Sequence, residues 1–76
     1  MPKLRGVSGK AAIKILCNRF GFVISGHSGS HVRLSKVTIE GKIGTVVPLH
    51  DELKPGTLNS VLKLAKVDPD EFAKYL

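Results

Sequence analysis

A chain of 76 residues with 42% hydrophobic content makes one domain with a single compact core, because so short a chain buries only about 60% of its extended surface. Its lone cysteine, Cys17, excludes an intrachain disulfide framework and favours a reducing, cytoplasmic setting. No apolar run reaches the roughly 20 residues of a membrane span, and residues 1–9 lack the apolar core of a signal peptide, so a soluble protein is expected. Twelve Lys and Arg against six acids give a net charge of +6, unevenly spread. Residues 1–50 hold eight bases against the single acid Glu40, a net +7, whereas residues 51–76 hold four bases and five acids, a net −1. A focused positive field attracts phosphate backbones through counterion release, and also acidic membranes or acidic proteins; the same charge equally serves solubility.

Ser8 is placed to cap a first helix whose residues Ala12, Ile13, Leu16 and Phe20 follow the three-and-four spacing of one buried face, with Gly21 as the stop. Lys10, Lys14 and Arg19 fall largely off that stripe. Cys17 borders it and reads as a small buried hydrophobe rather than a reactive thiol, since helix interiors do not lower a thiol pKa. Phe22 to His27 reads as a strand, Ser28-Gly29-Ser30 as a turn, and His31 to about Lys36 as a second strand, with Val37 to Glu40 as an optional extension of it. Alternation puts Val32 and Leu34 on the inner face of that strand and His31, Arg33 and Ser35 on the outer one. Glu40-Gly41-Lys42 looks like the turn before a third strand, Ile43 to Val47, closed by Pro48.

From Leu53 the period changes. Leu58, Val61, Leu62 and Ala65 line a helical face behind a Pro55-Gly56-Thr57 start. Gly56 and Thr57 also raise the question of an anion at that helix N-terminus, with a plain helix start as the simpler reading. Asp68-Pro69-Asp70-Glu71 predicts a short last helix, with Asp68 as cap, Glu71 completing a capping box, and Phe72 and Leu76 docking it. The order is helix, three antiparallel strands, helix, short helix: an α+β, two-layer fold.

One cluster is equipped for chemistry. The turn Gly29-Ser30 delivers His31 to the start of an alternating strand, and an imidazole, with an ordinary pKa of about 6.5, both takes and gives protons near neutrality. Gly29 serves either as a turn residue needing positive φ or as backbone that approaches a phosphate closely. His50, between Pro48 and Asp51, orients the connection after the third strand or contacts RNA, and His27 reads as an ordinary surface residue. A zinc site from His27, His31 and His50 fits no standard ligand spacing, so no metal or other cofactor is expected.

Several ordered segments resemble the HicA toxin family, the RNA-cleaving half of bacterial and archaeal toxin-antitoxin pairs. They are Ser8-Gly9-Lys10, Gly21-Phe22-Val23, Gly29-Ser30-His31, Val46-Val47-Pro48-Leu49-His50, and Pro55-Gly56-Thr57-Leu58 running into Val61-Leu62. The resemblance spans residues 8–67. It implies an αβββα fold like the double-stranded-RNA-binding domain, a catalytic role for His31, and a cognate HicB-like antitoxin. The chain departs from the family pattern at Val32, where many relatives carry a second histidine, and at Gly26-His27-Ser28, where a Lys or Arg often precedes the turn. The loop around Glu40-Gly41-Lys42 differs too, and the helix from Asp68 lies outside the resemblance.

RNA cleavage suits so small a protein, because the substrate supplies its own nucleophile in the 2′-hydroxyl. A base must take that proton, cations must steady the charge on phosphorus, and an acid should protonate the leaving 5′-oxygen. His31 suits the first or third task. Arg33, two residues on and about 7 Å along the same face, suits a phosphate clamp. Lys10, Lys14, Gly29, Ser30, Lys36 and His50 complete the expected RNA contacts. The leading expectation is a metal-independent endoribonuclease toxin; the alternatives are a non-catalytic RNA-binding module of the same shape and a basic adaptor for an acidic protein.

Overall fold

The computed structural model describes residues 4–76. Lys3, counted in the basic half, and the first three positions of the segment examined for a signal peptide lie outside the described residues. The elements run α1 (Gly9–Arg19), β1 (Val23–Ser28), β2 (His31–Thr38), β3 (Gly41–Pro48), α2 (Pro55–Ala65) and α3 (Pro69–Ala73). This is the expected helix, three-strand, helix order in an α+β arrangement like the double-stranded-RNA-binding domain, with a short terminal helix added.

Local signals decide the helix ends. The Ser8 hydroxyl accepts a hydrogen bond from the Ala11 amide at 3.0 Å, which satisfies one of the free donors of the first turn. Ala12 and Leu16 are fully buried; Ile13, Phe20 and Cys17 pack against the core from its margin. Burial pushes the Cys17 thiol above its ordinary pKa, which agrees with a packing role. In α2 the four expected residues, Leu58, Val61, Leu62 and Ala65, are the buried ones, and the helix ends at Lys66 in the left-handed region, φ 55°. Asp68 caps α3 by accepting from the Asp70 amide at 2.7 Å. The capping box does not close: the Glu71 carboxylate turns instead to Lys74, 3.2 Å away.

The strands form an antiparallel sheet in the order β1-β2-β3. Gly29 has φ +60°, and no non-glycine residue of the hairpin has positive φ. That pattern matches the two-residue turn with glycine first, whose twist suits paired strands. The second turn lies earlier than expected. β2 continues to Thr38 and β3 begins at Gly41, so Ile39 and Glu40 sit at the tip, with the Thr38 hydroxyl donating to the Gly41 carbonyl at 2.8 Å. Glycine marks the exit from this turn rather than its centre.

Both long helices pack on β3 and cover the sheet face that carries Val32, Leu34, Thr45 and Val47. Thr45 is buried there without loss because its hydroxyl donates to the Val61 carbonyl of α2 at 2.9 Å. Leu4, Val7, Phe22, Leu53 and Val67, outside the regular elements, complete the core together with Phe72. Leu76, expected to dock with Phe72, is exposed; the end of α3 is instead held by Tyr75, edge-on to Phe20 at 5.7 Å. A five-residue helix presents only one inward position per turn, and Phe72 takes it.

Candidate nucleic-acid interface on the open sheet face

Residues directly opposite one another in paired strands share a face. Along β2 the outward row is His31, Arg33, Ser35 and Val37; β1 contributes Ser28, Gly26 and Val23 beside it, and β3 contributes Pro48, Val46, Gly44 and Lys42. His31 thus lies between Ser28 and Pro48 at one end of the sheet, exposed to solvent. Ser30 and His50 are joined to that end through the backbone. The Leu49 amide donates to the Ser30 carbonyl at 2.6 Å, and the Gly9 amide donates to the His50 carbonyl at 2.9 Å.

Gly9 is required at this junction. It is buried in the first turn of α1, and a Cβ there would overlap the Pro48 carbonyl oxygen. Three segments far apart in sequence, Ser8 to Lys10, Gly29 to His31 and Pro48 to His50, therefore meet at one end of the molecule, where Lys10 and His50 are exposed.

Arg33 occupies the middle of the open face. Opposite it stands Gly26, and a Cβ at that position would lie 3.3 Å from the Arg33 Nε. The guanidinium rests across the space that a side chain would fill. Glycine inside a strand often marks such a close approach, so Gly26 seats the Arg33 side chain, a role that its place in a strand pattern could have flagged. Beside it, β1 is bulged between Ile24 and Gly26, and the extra residue, Ser25, donates from its hydroxyl to the Arg33 carbonyl at 3.4 Å.

Two of the residues expected to contact RNA lie apart from His31. Lys36 alternates with Arg33, which turns it toward the helix-covered side, and its ammonium sits 5.8 Å from the centre of the Phe22 ring. Lys14 lines a groove of about 590 Å³ between α1 and the chain end, with Asn18, Arg19, Lys74 and Tyr75. Neither joins His31. Lys42, by contrast, reads as a turn residue in the sequence, yet it lies in β3 and the register brings it to the outer row. Ser35, on the same outer row, is only 7% exposed. His27 pairs with Val32 and belongs to the other face. Among the described residues no three His, Cys, Asp or Glu side chains gather as a metal cluster would, and no helix is long and apolar enough to cross a membrane.

Residues 9–67 match the family described as HicA toxin of bacterial toxin-antitoxin. No curated protein and no solved structure gives a significant match. The matched stretch begins at the Gly9 junction, includes the whole sheet and α2, and stops before α3. On that match over most of its length, the chain belongs to the HicA family of toxins from toxin-antitoxin systems, proteins whose counterpart is an antitoxin.

Proposed function

We propose that this toxin is a metal-independent endoribonuclease in which His31 carries the proton transfer, acting on RNA laid across the open sheet face. The observation that carries the reading is the position of His31: exposed, on a tight turn, beside Arg33 on an outward row in the basic part of the chain. An imidazole nitrogen of His31 takes the proton of a 2′-hydroxyl, whose oxygen attacks the adjacent phosphorus. The bond from phosphorus to the 5′-oxygen breaks, that oxygen leaves with a proton taken from solvent water, and the His31 imidazolium returns its own proton to the solvent. The products are a 2′,3′-cyclic phosphate and a 5′-hydroxyl end. Arg33, with its planar fork of donors, holds the charge that develops on the phosphorus oxygens. In relatives a Lys or Arg often precedes the glycine turn; here the Arg33 guanidinium lies over the corresponding stretch of β1 at Gly26. The experiment is incubation of the purified protein with total RNA in the presence of a chelator, beside its His31→Ala variant. Cleavage by the parent alone supports the reading; binding without cleavage by either protein replaces it with a plain RNA-binding module.

Electrostatics gives the reading a second measurable consequence. Each phosphate neutralised on single-stranded RNA contributes about 0.7 to the slope of log affinity against log salt. Arg33→Ala should flatten the slope by about that amount. Lys36→Ala and Lys14→Ala should change it less, because both side chains lie away from the outer row. An equal flattening by all three would move the RNA off the sheet.

The antitoxin, HicB-like and acidic where it meets this chain, covers the same face. Val23, Val37, Val46 and Ile39 are exposed on or beside it and offer apolar contacts for lasting inhibition, while the cations speed encounter. In the complex with the neighbouring gene's product, His31 should be protected from diethyl pyrocarbonate while His27, on the other face, keeps reacting. An unprotected His31 in a fully inhibited complex would mean inhibition from a distance.

A further inference from the structure

Beside β2 and β3 lies a hollow of about 270 Å³, lined by Arg33, Ser35, Lys42, Gly44 and Val46 of the outer row with Ser25, and by Leu34, Thr45 and Leu64 from the side that the helices cover. Its existence follows from small residues. Ser35 is flanked by Gly44, which has no side chain, and Gly26 leaves the neighbouring position open for Arg33. Two cations stand on the wall and no carboxylate does. The Ser35 hydroxyl has no protein hydrogen-bond partner among the described residues, and no buried side-chain polar atom of these residues lacks a partner. Its oxygen therefore keeps contact with solvent, and Ser35 is one of the residues that line the hollow.

We propose that this hollow is a phosphate subsite, resting on the ribonuclease reading, which holds a backbone phosphate of the RNA one or two nucleotides away from the bond that is cut. Alternate residues of a strand are about 7 Å apart, so the space between Arg33 and Ser35 lies roughly 7–13 Å along β2 from His31. That interval matches the distance between phosphates one or two nucleotides apart in an extended single strand. A phosphate seated there accepts from the Arg33 fork, from the Lys42 ammonium and from the Ser35 hydroxyl, a set of donors without a competing anion. Holding a second phosphate fixes the register of the strand over His31, so the hollow positions substrate and takes no part in proton transfer.

Gly44 offers a direct test, because a Cβ at that position meets only the Leu34 carbonyl oxygen, at an ordinary 3.7 Å, and its φ lies outside the positive region. Gly44→Val fills the hollow without removing a charge, and a β-branched residue suits a strand. Binding is measured on single-stranded oligoribonucleotides in the His31→Ala background. Adding Gly44→Val should weaken binding about tenfold or more and reduce the salt slope by about 0.7. Lys42→Gln, which needs no repacking, should flatten the slope as well. The two changes together should weaken binding little more than the stronger one alone, since both remove the same phosphate. In oligonucleotides with one uncharged methylphosphonate, one position should lower affinity for the His31→Ala protein and leave the Gly44→Val protein unaffected. Affinity and slope unchanged by either Gly44→Val or Lys42→Gln, in a protein with a parent-like melt, would overturn the subsite. Failure of the ribonuclease reading shows separately, as cleavage by His31→Ala or none by the parent.

Discussion

Alanine at His31 is expected to lower the rate of RNA cleavage by roughly 10²- to 10⁴-fold, the usual contribution of one positioned proton-transfer group. Stability should barely change. His31 is exposed, its outward neighbours are Ser28 and Pro48, and its imidazole has no hydrogen-bond partner among the described residues. Exposed substitutions of this kind fall within about 0.5 kcal/mol, which for a domain of this size is a shift of about 2–4 °C in melting temperature. The two readouts should therefore separate: cleavage of total RNA lost, thermal melt retained. A variant that cleaves at the parent rate removes His31 from the mechanism. A melt lowered by 10 °C or more would make His31 a packing residue, contrary to its exposure.

The largest stability effect is expected at the opposite end of the chain, outside the stretch that matches the family. Phe72 is fully buried, the single inward residue of α3, and joins the core with Leu58, Leu62 and Leu16. Truncating a buried phenylalanine to alanine costs about 3–5 kcal/mol through lost transfer energy and the cavity left behind. A domain of 76 residues has roughly 4–11 kcal/mol to lose, so Phe72→Ala leaves little margin. Its melting temperature should fall by at least about 12 °C, whereas Leu76→Ala, at an exposed position, should stay within about 4 °C. Equal melts for the two variants would show that α3 is an appendage and not a wall of the core. The family resemblance stops at residue 67, yet the core of this member does not, and a catalytic defect in a chain lacking α3 would be a folding defect first.

Much of the architecture is legible in the sequence because its determinants are local. Ser8, Pro55 and Asp68 sit at helix starts where a cap or a preset φ acts within one turn, and the stripe Leu58, Val61, Leu62, Ala65 reports one buried face directly. The turn at Gly29 and the alternation of His31, Val32, Arg33 and Leu34 are also local, so the exposure of His31 and Arg33 follows from the strand itself. Where local rules compete, the reading slips. Glu40-Gly41-Lys42 has turn chemistry, but pairing of Thr38 with Gly41 extends both strands and puts Ile39 at the tip.

What tertiary structure alone decides is which side chains are neighbours across strands. Register between β1, β2 and β3, together with the bulge at Ser25, sets Gly26 under the Arg33 guanidinium, and Gly44 and Lys42 around Ser35. It likewise sends Lys36 onto Phe22 and leaves Lys14 in the groove beside Tyr75, although both counted toward the same positive half of the chain. A period-two pattern assigns a face but says nothing about the partner strand, and a charge count assigns a sign but no direction. The fold class and the exposure of His31 were thus determined by short-range rules written in the sequence. The shape of the surface around that histidine was decided by pairings between strands, such as Gly26 with Arg33 and Ser35 with Gly44, which exist only once the sheet has closed its register.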